Sequence, residues 1–363
     1  MVTPASGLDL EERFAGLLLG TAVGDALGLP AENLSAEKIR RRWKGEWKMR
    51  FIFGKGMVSD DTEHTLMVAQ ALLEHPDSAA DFQRSLAWKL RWWFAGLPGG
   101  VGLATAKACI KLWMGFAPGK CAAASAGSGP PMRSAIIGAY FSTEPEQRKA
   151  FVLAATRLTH RSWQAETAAL AVAEAAAWAM TNQHRDASKM FDTLEALSEE
   201  SEWRSIISKM KTSLAANHSV PAFVQSLNLK RGITGYSLHV VPVALYAWLR
   251  HPDDFHTALI AALDCGGDTD TVGAILGALS GAVVGKSKIP VEWLEKIWEW
   301  PRSVSHMRKI AERLTEQSVS KKTIGSVGCF WPGTILRNVI FIFAVLAHGL
   351  RRLARHIKGF SFS

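Results

Sequence analysis

Two short acidic clusters hold the residues best suited to chemistry. Ser59-Asp60-Asp61-Thr62 precedes an apolar helical run from His64, and Gly266-Gly267-Asp268-Thr269-Asp270-Thr271 precedes a glycine-spaced run. Each sets acids beside hydroxyls at an expected helix N-terminus, where capping alone would suit Ser, Thr and Asp. Two clusters, each with two acids inside three residues, go beyond what capping needs. Carboxylates beside a core are costly unless cations neutralise them. Hard oxygen ligands, with no His or Cys among them, suit Mg²⁺, Mn²⁺ or Ca²⁺ rather than zinc. If the clusters converge, four Asp can hold two ions, which is the layout of a binuclear hydrolytic site.

The elements that must bring them together read as helices. His64–Glu74, Ala104–Trp113, Phe151–Leu158, Ala165–Met180, Pro242–Leu249 and Phe255–Leu263 are rich in Ala and Leu, with apolar residues three and four apart. Alternating Val, Ile and Thr runs bounded by Asn-Gly turns are missing, so few strands are expected. Gly16, Gly20, Gly24 and Gly28 recur every fourth residue, as do Gly273, Gly277, Gly281 and Gly285. On a helix each set lines one face. A helical glycine costs about 1 kcal/mol relative to Ala, so eight need a compensating reason, and close helix–helix approach supplies one. Asp25 inside the first run, and Asp268 and Asp270 at the start of the second, argue against membrane spans. The expected fold is an all-α, compact multi-helix bundle over residues 8–318, which would hold a central binuclear metal cleft if the two clusters converge.

The 363 residues are 48% hydrophobic and 21% charged, which excludes disorder and a disulfide-dense scaffold. Cys109, Cys121, Cys265 and Cys329 are scattered without a CxxC pair, so a reducing, cytoplasmic setting is expected. Asp9, Glu11 and Glu12 precede the first apolar run, unlike a secretory signal. Seven of the net +9 charges fall in residues 320–363, which contain no acid, leaving +2 for the body. The basic, aromatic stretch Lys38–Lys55 suits single-stranded nucleic acid, but is read as a solvated segment anchoring Trp and Phe in the core. No nucleic acid is expected as a partner.

Residues 319–363 form a distinct tail. Its uninterrupted apolar run, Val339–Ala347, has about half the ~20 residues a membrane span needs. Arg351, Arg352, Arg355 and Lys358 follow. Three readings stand: a helix on an anionic membrane surface, a partner-binding or self-associating helix, and an extra helix packed on the body.

The motifs occur together in a familiar order. Gly20-Thr21-Ala22-Val23-Gly24-Asp25-Ala26-Leu27-Gly28 is followed by Glu32. Then come Ser59–Thr62, Gly127-Ser128-Gly129-Pro130-Pro131-Met132-Arg133, Thr159-His160, Gly235-Tyr236 and Gly267–Thr271. This ordered set, over about residues 12–286, resembles the ADP-ribosylglycohydrolase family. The resemblance implies an all-α fold and two Mg²⁺ (or Mn²⁺) ions. Ser59, Asp60 and Asp61 would ligate them from one side, and Asp268, Asp270 and Thr271 from the other. Glu32 matches the family's loop glutamate at the metals and substrate. With Asp60 or Asp61 it is a candidate acid or base. The glycines at 99–102, Gly100 and Gly102 among them, and Gly127, Ser128 and Gly129 would offer backbone N–H groups to the diphosphate. His160 would contact ribose or phosphate, and Tyr236 would stack on adenine. Ser59 stands for a usual Thr, Ser128 for a frequent Asn, and the acid that some relatives carry near Gly100 is missing.

The implied reaction removes ADP-ribose from a modified protein side chain, arginine first, with an ADP-ribosylated protein as substrate. A competing reading is a binding or immunity-type protein that recognises an ADP-ribosyltransferase or its modified target, with little or no turnover.

Overall fold

Backbone contact between two glycine-ridged helices sets the architecture. The structure is a computed structural model that describes residues 9–181, 187–229 and 231–360, the last ten as backbone only. The expected domain start at residue 8 and the side chains of Arg351, Arg352, Arg355 and Lys358 lie outside the described residues. Helix α1 (Leu10–Gly28) runs antiparallel to the helix Thr269–Val284 near the end of the fold. Gly16 meets Gly281, Gly20 meets Gly277 and Gly24 meets Gly273. A Cβ built on Gly20 would stand 2.1 Å from the carbonyl oxygen of Gly277. No side chain fits there, so the helical cost of glycine is offset by burying two main chains against each other. Gly285, the last of the second set, lies past that helix's end with a positive φ.

The other helices follow in chain order around this pair. They are α2 (Ala36–Trp43), α3 (Asp60–Glu74), α4 (Ala79–Ala95), α5 (Leu103–Trp113), α6 (Ala135–Tyr140), α7 (Pro145–Thr156) and α8 (Trp163–Thr181). After these come α9 (Ala187–Ala196), α10 (Ser201–Ala215), α11 (Val220–Ser226), α12 (Ser237–Arg250) and α13 (Phe255–Leu263). The central partner is α14 (Thr269–Val284), followed by α15 (Val291–Leu294), α16 (Val304–Ser320) and α17 (Trp331–Phe360). Helices α3 and α16 pack on α1, while α8, α12 and α13 pack on α14. The expected helical windows fall on helices, except that Phe151–Leu158 runs two residues past the end of α7 at Thr156, and the all-α reading holds. The expected division at 318/319 lies within the last turn of α16, which runs to Ser320.

Among the described residues the strands are one two-residue pair, β1 (Leu34–Ser35) and β2 (Gly266–Gly267), antiparallel with Leu34 opposite Gly267. Sequence periodicity gives no sign of so short a pair. Gly267 adopts a positive φ of 93°, and a Cβ there would stand 1.9 Å from the Ile233 carbonyl, so only glycine fits.

The basic, aromatic segment turns its rings inward, as the sequence suggests. Trp43 and Trp47 stack at 5.6 Å, and Trp47 Nε1 donates to Asp264. Met49 and Phe51 are buried, and Phe53 is exposed. Two segments, Leu10–Ala31 and Trp331–Leu350, have the length and hydropathy to cross a membrane. The first is wholly buried within the fold, and the second is one-third buried, with one face against the body.

Candidate active site

One end of the glycine ridge opens into the site. There Thr269 Oγ1 donates to the carbonyl of Gly28 at 2.8 Å, joining the end of α1 to the start of α14. Three residues before Gly28, Asp25 is fully buried. Its carboxylate accepts the backbone N–H groups of Ser59 and Thr62 and the Thr62 hydroxyl, the last at 2.5 Å. A carboxylate from α1 thus caps the N-terminus of α3, the segment that carries the first acidic cluster. Burial pushes the Asp25 carboxyl up to about 7, against the pull of those hydrogen bonds.

The two clusters converge. A cleft of about 360 Å³ is lined by Glu32, Ser59, Asp60 and Asp61 from one side and by Asp268, Asp270 and Thr271 from the other. Ser59 Oγ donates to Asp61 Oδ2 at 3.0 Å, and Thr271 Oγ1 donates to the same oxygen at 3.4 Å, linking α3 to α14. The other oxygen of Asp61, Oδ1, is buried with no hydrogen-bond partner. Ser128 Oγ donates to Asp268 Oδ2 at 3.4 Å, and the Thr271 N–H donates to Asp270 Oδ1.

The loops are stitched by backbone bonds. Asn33 N donates to Gly267 O at 2.8 Å, so the Glu32 loop is tied to the chain entering Asp268. Asp268 N donates to Ile233 O, and Ser128 N to Gly235 O. Gly127 and Gly129 pack on the ring of His160, whose Nδ1 meets Thr159 Oγ1 at 2.8 Å. Burial and the nearby Arg133 pull the His160 imidazole down to about 3, so it is neutral. Arg133, wholly buried, donates to Thr159 Oγ1 and the Ala155 carbonyl.

The electrostatics are those of crowded acids. Burial raises Asp60, Asp61 and Asp270 well above the usual carboxylate range, and neighbouring carboxylates push further. Asp25 and Glu63 act on Asp60, Asp25 and Asp60 on Asp61, and Glu32 and Asp268 on Asp270. Among the described residues no three Asp, Glu, His or Cys side chains already form a metal cage. Mg²⁺ usually takes one or two carboxylates and keeps several waters, so it does not require such a cage. The orphaned Asp61 Oδ1 and the all-oxygen donor set fit a hard divalent cation.

All the expected site residues but one line the cleft. Tyr236 does not. Its hydroxyl donates to Glu202 Oε1 at 2.9 Å, while its backbone bridges Gly127. Thr105, Ser125 and Met132 complete the wall beside the glycine loops. Phe341 and Val345, from α17, also line it, and nothing in the tail's composition signals that.

This geometry agrees with what the chain resembles. The ADP-ribosylglycohydrolase family model matches residues 6–323. An uncharacterized protein of Archaeoglobus fulgidus is 33% identical over 79% of this chain and 92% of its own length. The ADP-ribosyl-[dinitrogen reductase] glycohydrolase of Rhodospirillum rubrum is 26% identical over 80% of this chain and 92% of its own. A solved structure titled ADP-ribosylglycohydrolase-related protein complex superposes with a TM-score of 0.57 at 26% identity, covering 85% of this chain and 99% of that one. The chain belongs to the ADP-ribosylglycohydrolase family, a family of hydrolases.

Proposed function

We propose that the protein hydrolyses the bond between C1″ of ADP-ribose and a protein side chain, arginine first. The observation that carries this reading is the meeting of Ser59, Asp60 and Asp61 with Asp268, Asp270 and Thr271 in one cleft, with Glu32 beside them. The near end-to-end match to the R. rubrum glycohydrolase supports an ADP-ribosylated protein as substrate. The arginine linkage rests on likeness to the compact glycohydrolases.

In this reading Ser59, Asp60 and Asp61 hold one face of a pair of Mg²⁺ or Mn²⁺ ions, and Asp268, Asp270 and Thr271 the other. Such ions supply Lewis acidity toward ribose hydroxyls and water. The chain's own groups do the rest. Asp61 is turned inward by Ser59 and Thr271, whereas Asp60 and Glu32 are only half-buried and face the cleft. Glu32 or Asp60 takes a proton from the attacking water, whose oxygen bonds to C1″. The C1″–N bond breaks, and the guanidino nitrogen leaves with the proton that the carboxylate took from the water. The glycines at 99–102 and Gly129 present N–H groups to the diphosphate, those of Gly127 and Ser128 being taken by Ser125 Oγ and the Gly235 carbonyl, and neutral His160 backs the second loop without adding charge.

The test is release of ADP-ribose from an arginine-ADP-ribosylated protein, with Mg²⁺, with Mn²⁺ and with chelator. Metal-dependent release is expected, and it should vanish in Asp268→Ala. Full release by Asp268→Ala would overturn the assignment. Absence of release despite ADP-ribose binding would reject arginine in favour of another linkage, such as serine.

A further inference from the structure

The family match ends at residue 323, and α17 begins at Trp331. Yet α17 reaches both edges of the cleft. Arg337 is buried and bonds Glu299 through Nε and a terminal nitrogen, at 3.0 and 2.6 Å. The same guanidinium donates to the Val58 carbonyl, while Glu299 Oε1 accepts the Val58 N–H at 2.8 Å. The peptide groups on both sides of Val58, directly before Ser59, are therefore gripped by one ion pair.

At the other edge, Asn338 Nδ2 donates to the Gly96 carbonyl at 2.8 Å. The Phe341 ring stacks on Phe51 and lies 4.6 Å from the Arg337 guanidinium. Its edge rests on Gly99, where a Cβ would stand 2.7 Å from Cδ1. Val345 continues the wall one turn on.

We propose that α17 is a positioning and specificity element of the site. Phe341 fixes the glycine loop at 99–102 against the diphosphate, and Val345 sets the width of the cleft beside that loop. The inference rests on the reading that an ADP-ribosyl group occupies the cleft. A loop rich in glycine is costly to order on binding, and a rigid ring packed against it removes much of that cost beforehand.

The experiment uses the full chain, with free ADP-ribose as calorimetric probe and amide hydrogen exchange as a ligand-free readout. Phe341→Ala should weaken binding about tenfold or more and speed exchange at residues 96–102 by a similar factor, with α1 and α14 unchanged. Val345 is 42% exposed, so Val345→Trp should keep the wild-type melting temperature yet weaken binding by narrowing the cleft. Should Phe341→Ala fail to fold, Phe341→Leu carries the exchange measurement. Wild-type exchange at 96–102 in the Phe341 variant, or wild-type affinity in Val345→Trp, overturns the proposal. If the wild-type chain binds no ADP-ribose, the functional reading falls, and the exchange data alone decide whether α17 holds the loop.

Discussion

Asp25 takes the backbone N–H of Ser59 on both its carboxylate oxygens, at 3.0 and 2.9 Å. The segment that carries the first acidic cluster is thus aimed from α1 by a residue that does not line the cleft. Asp25→Ala should leave the Ser59 and Thr62 donors unpaired in the core and cost about 2–4 kcal/mol. Asp25→Asn keeps the shape and one acceptor oxygen, and should lose less. Urea denaturation of the three proteins gives the order. A stability loss below ~0.5 kcal/mol for the alanine variant would contradict the capping role.

The glycine ridge makes a sharp prediction. Gly20→Ala or Gly277→Ala puts a methyl 2.1 Å from a carbonyl oxygen of the facing helix. Neither backbone can yield without moving the other, so each variant should lose at least ~3 kcal/mol or fail to accumulate folded. Gly102→Ala, with nothing within 4 Å of the added carbon, should stay within about 0.5 kcal/mol of wild type. Thermal melts of the three variants test the contrast.

The crowded acids predict a trade between stability and function. Asp270→Asn removes one buried charge from beside Glu32 and Asp268. With chelator present it should melt higher than wild type, by about 2 °C for each 1 kcal/mol of relieved repulsion. With Mg²⁺ added, wild type should gain stability by linkage and the variant should not. Equal gains on adding metal would remove Asp270 from the ligand set.

His160 predicts a pH dependence. Its folded pKa, near 3, lies below the unfolded value of 6.5, so the unfolded chain binds the extra proton between them. Stability from this residue is complete above pH 6.5 and falls as pH drops toward 3. The slope approaches about 1.4 kcal/mol per pH unit. His160→Gln should flatten that part of the profile. A melting curve falling as steeply with acid in the variant would assign the slope to other groups.

Arg337→Met should strand Glu299 as an unpaired buried carboxylate and cost about 3–5 kcal/mol. The double variant Arg337→Met, Glu299→Met should recover much of it, as equilibrium unfolding of both would show. No recovery would place the cost in lost packing.

The parts legible in the sequence were those whose cause is local. Four-residue glycine spacing marks a helix face whatever surrounds it, and both ridges form that face. Acids at helix starts are visible as a pattern, and both clusters reach the cleft. What escaped depends on distant partners. Asp25 looked like an acid inside an apolar helix, because its donors lie 34 and 37 residues on. Phe341 and Val345 looked like an appended apolar run, since nothing local ties them to Gly99. Tyr236 stands outside the cleft lining with its hydroxyl on Glu202, a partner that sequence spacing could not foresee.

The ridge also fixes a length. Asp25 on α1 and Asp270 on α14 sit at the same end of two helices in direct main-chain contact, with Gly28 against Thr269 as the last step. The spacing of α1 and α14 is therefore gauged by peptide against peptide, and the first acidic cluster hangs from α1 on one side chain, the Asp25 carboxylate. Elsewhere in the core, substitutions can shift helices by the width of a methyl group. Here a shift of either helix meets the main chain of the other, so the end of the ridge beside the cleft resists changes that surrounding helices could absorb.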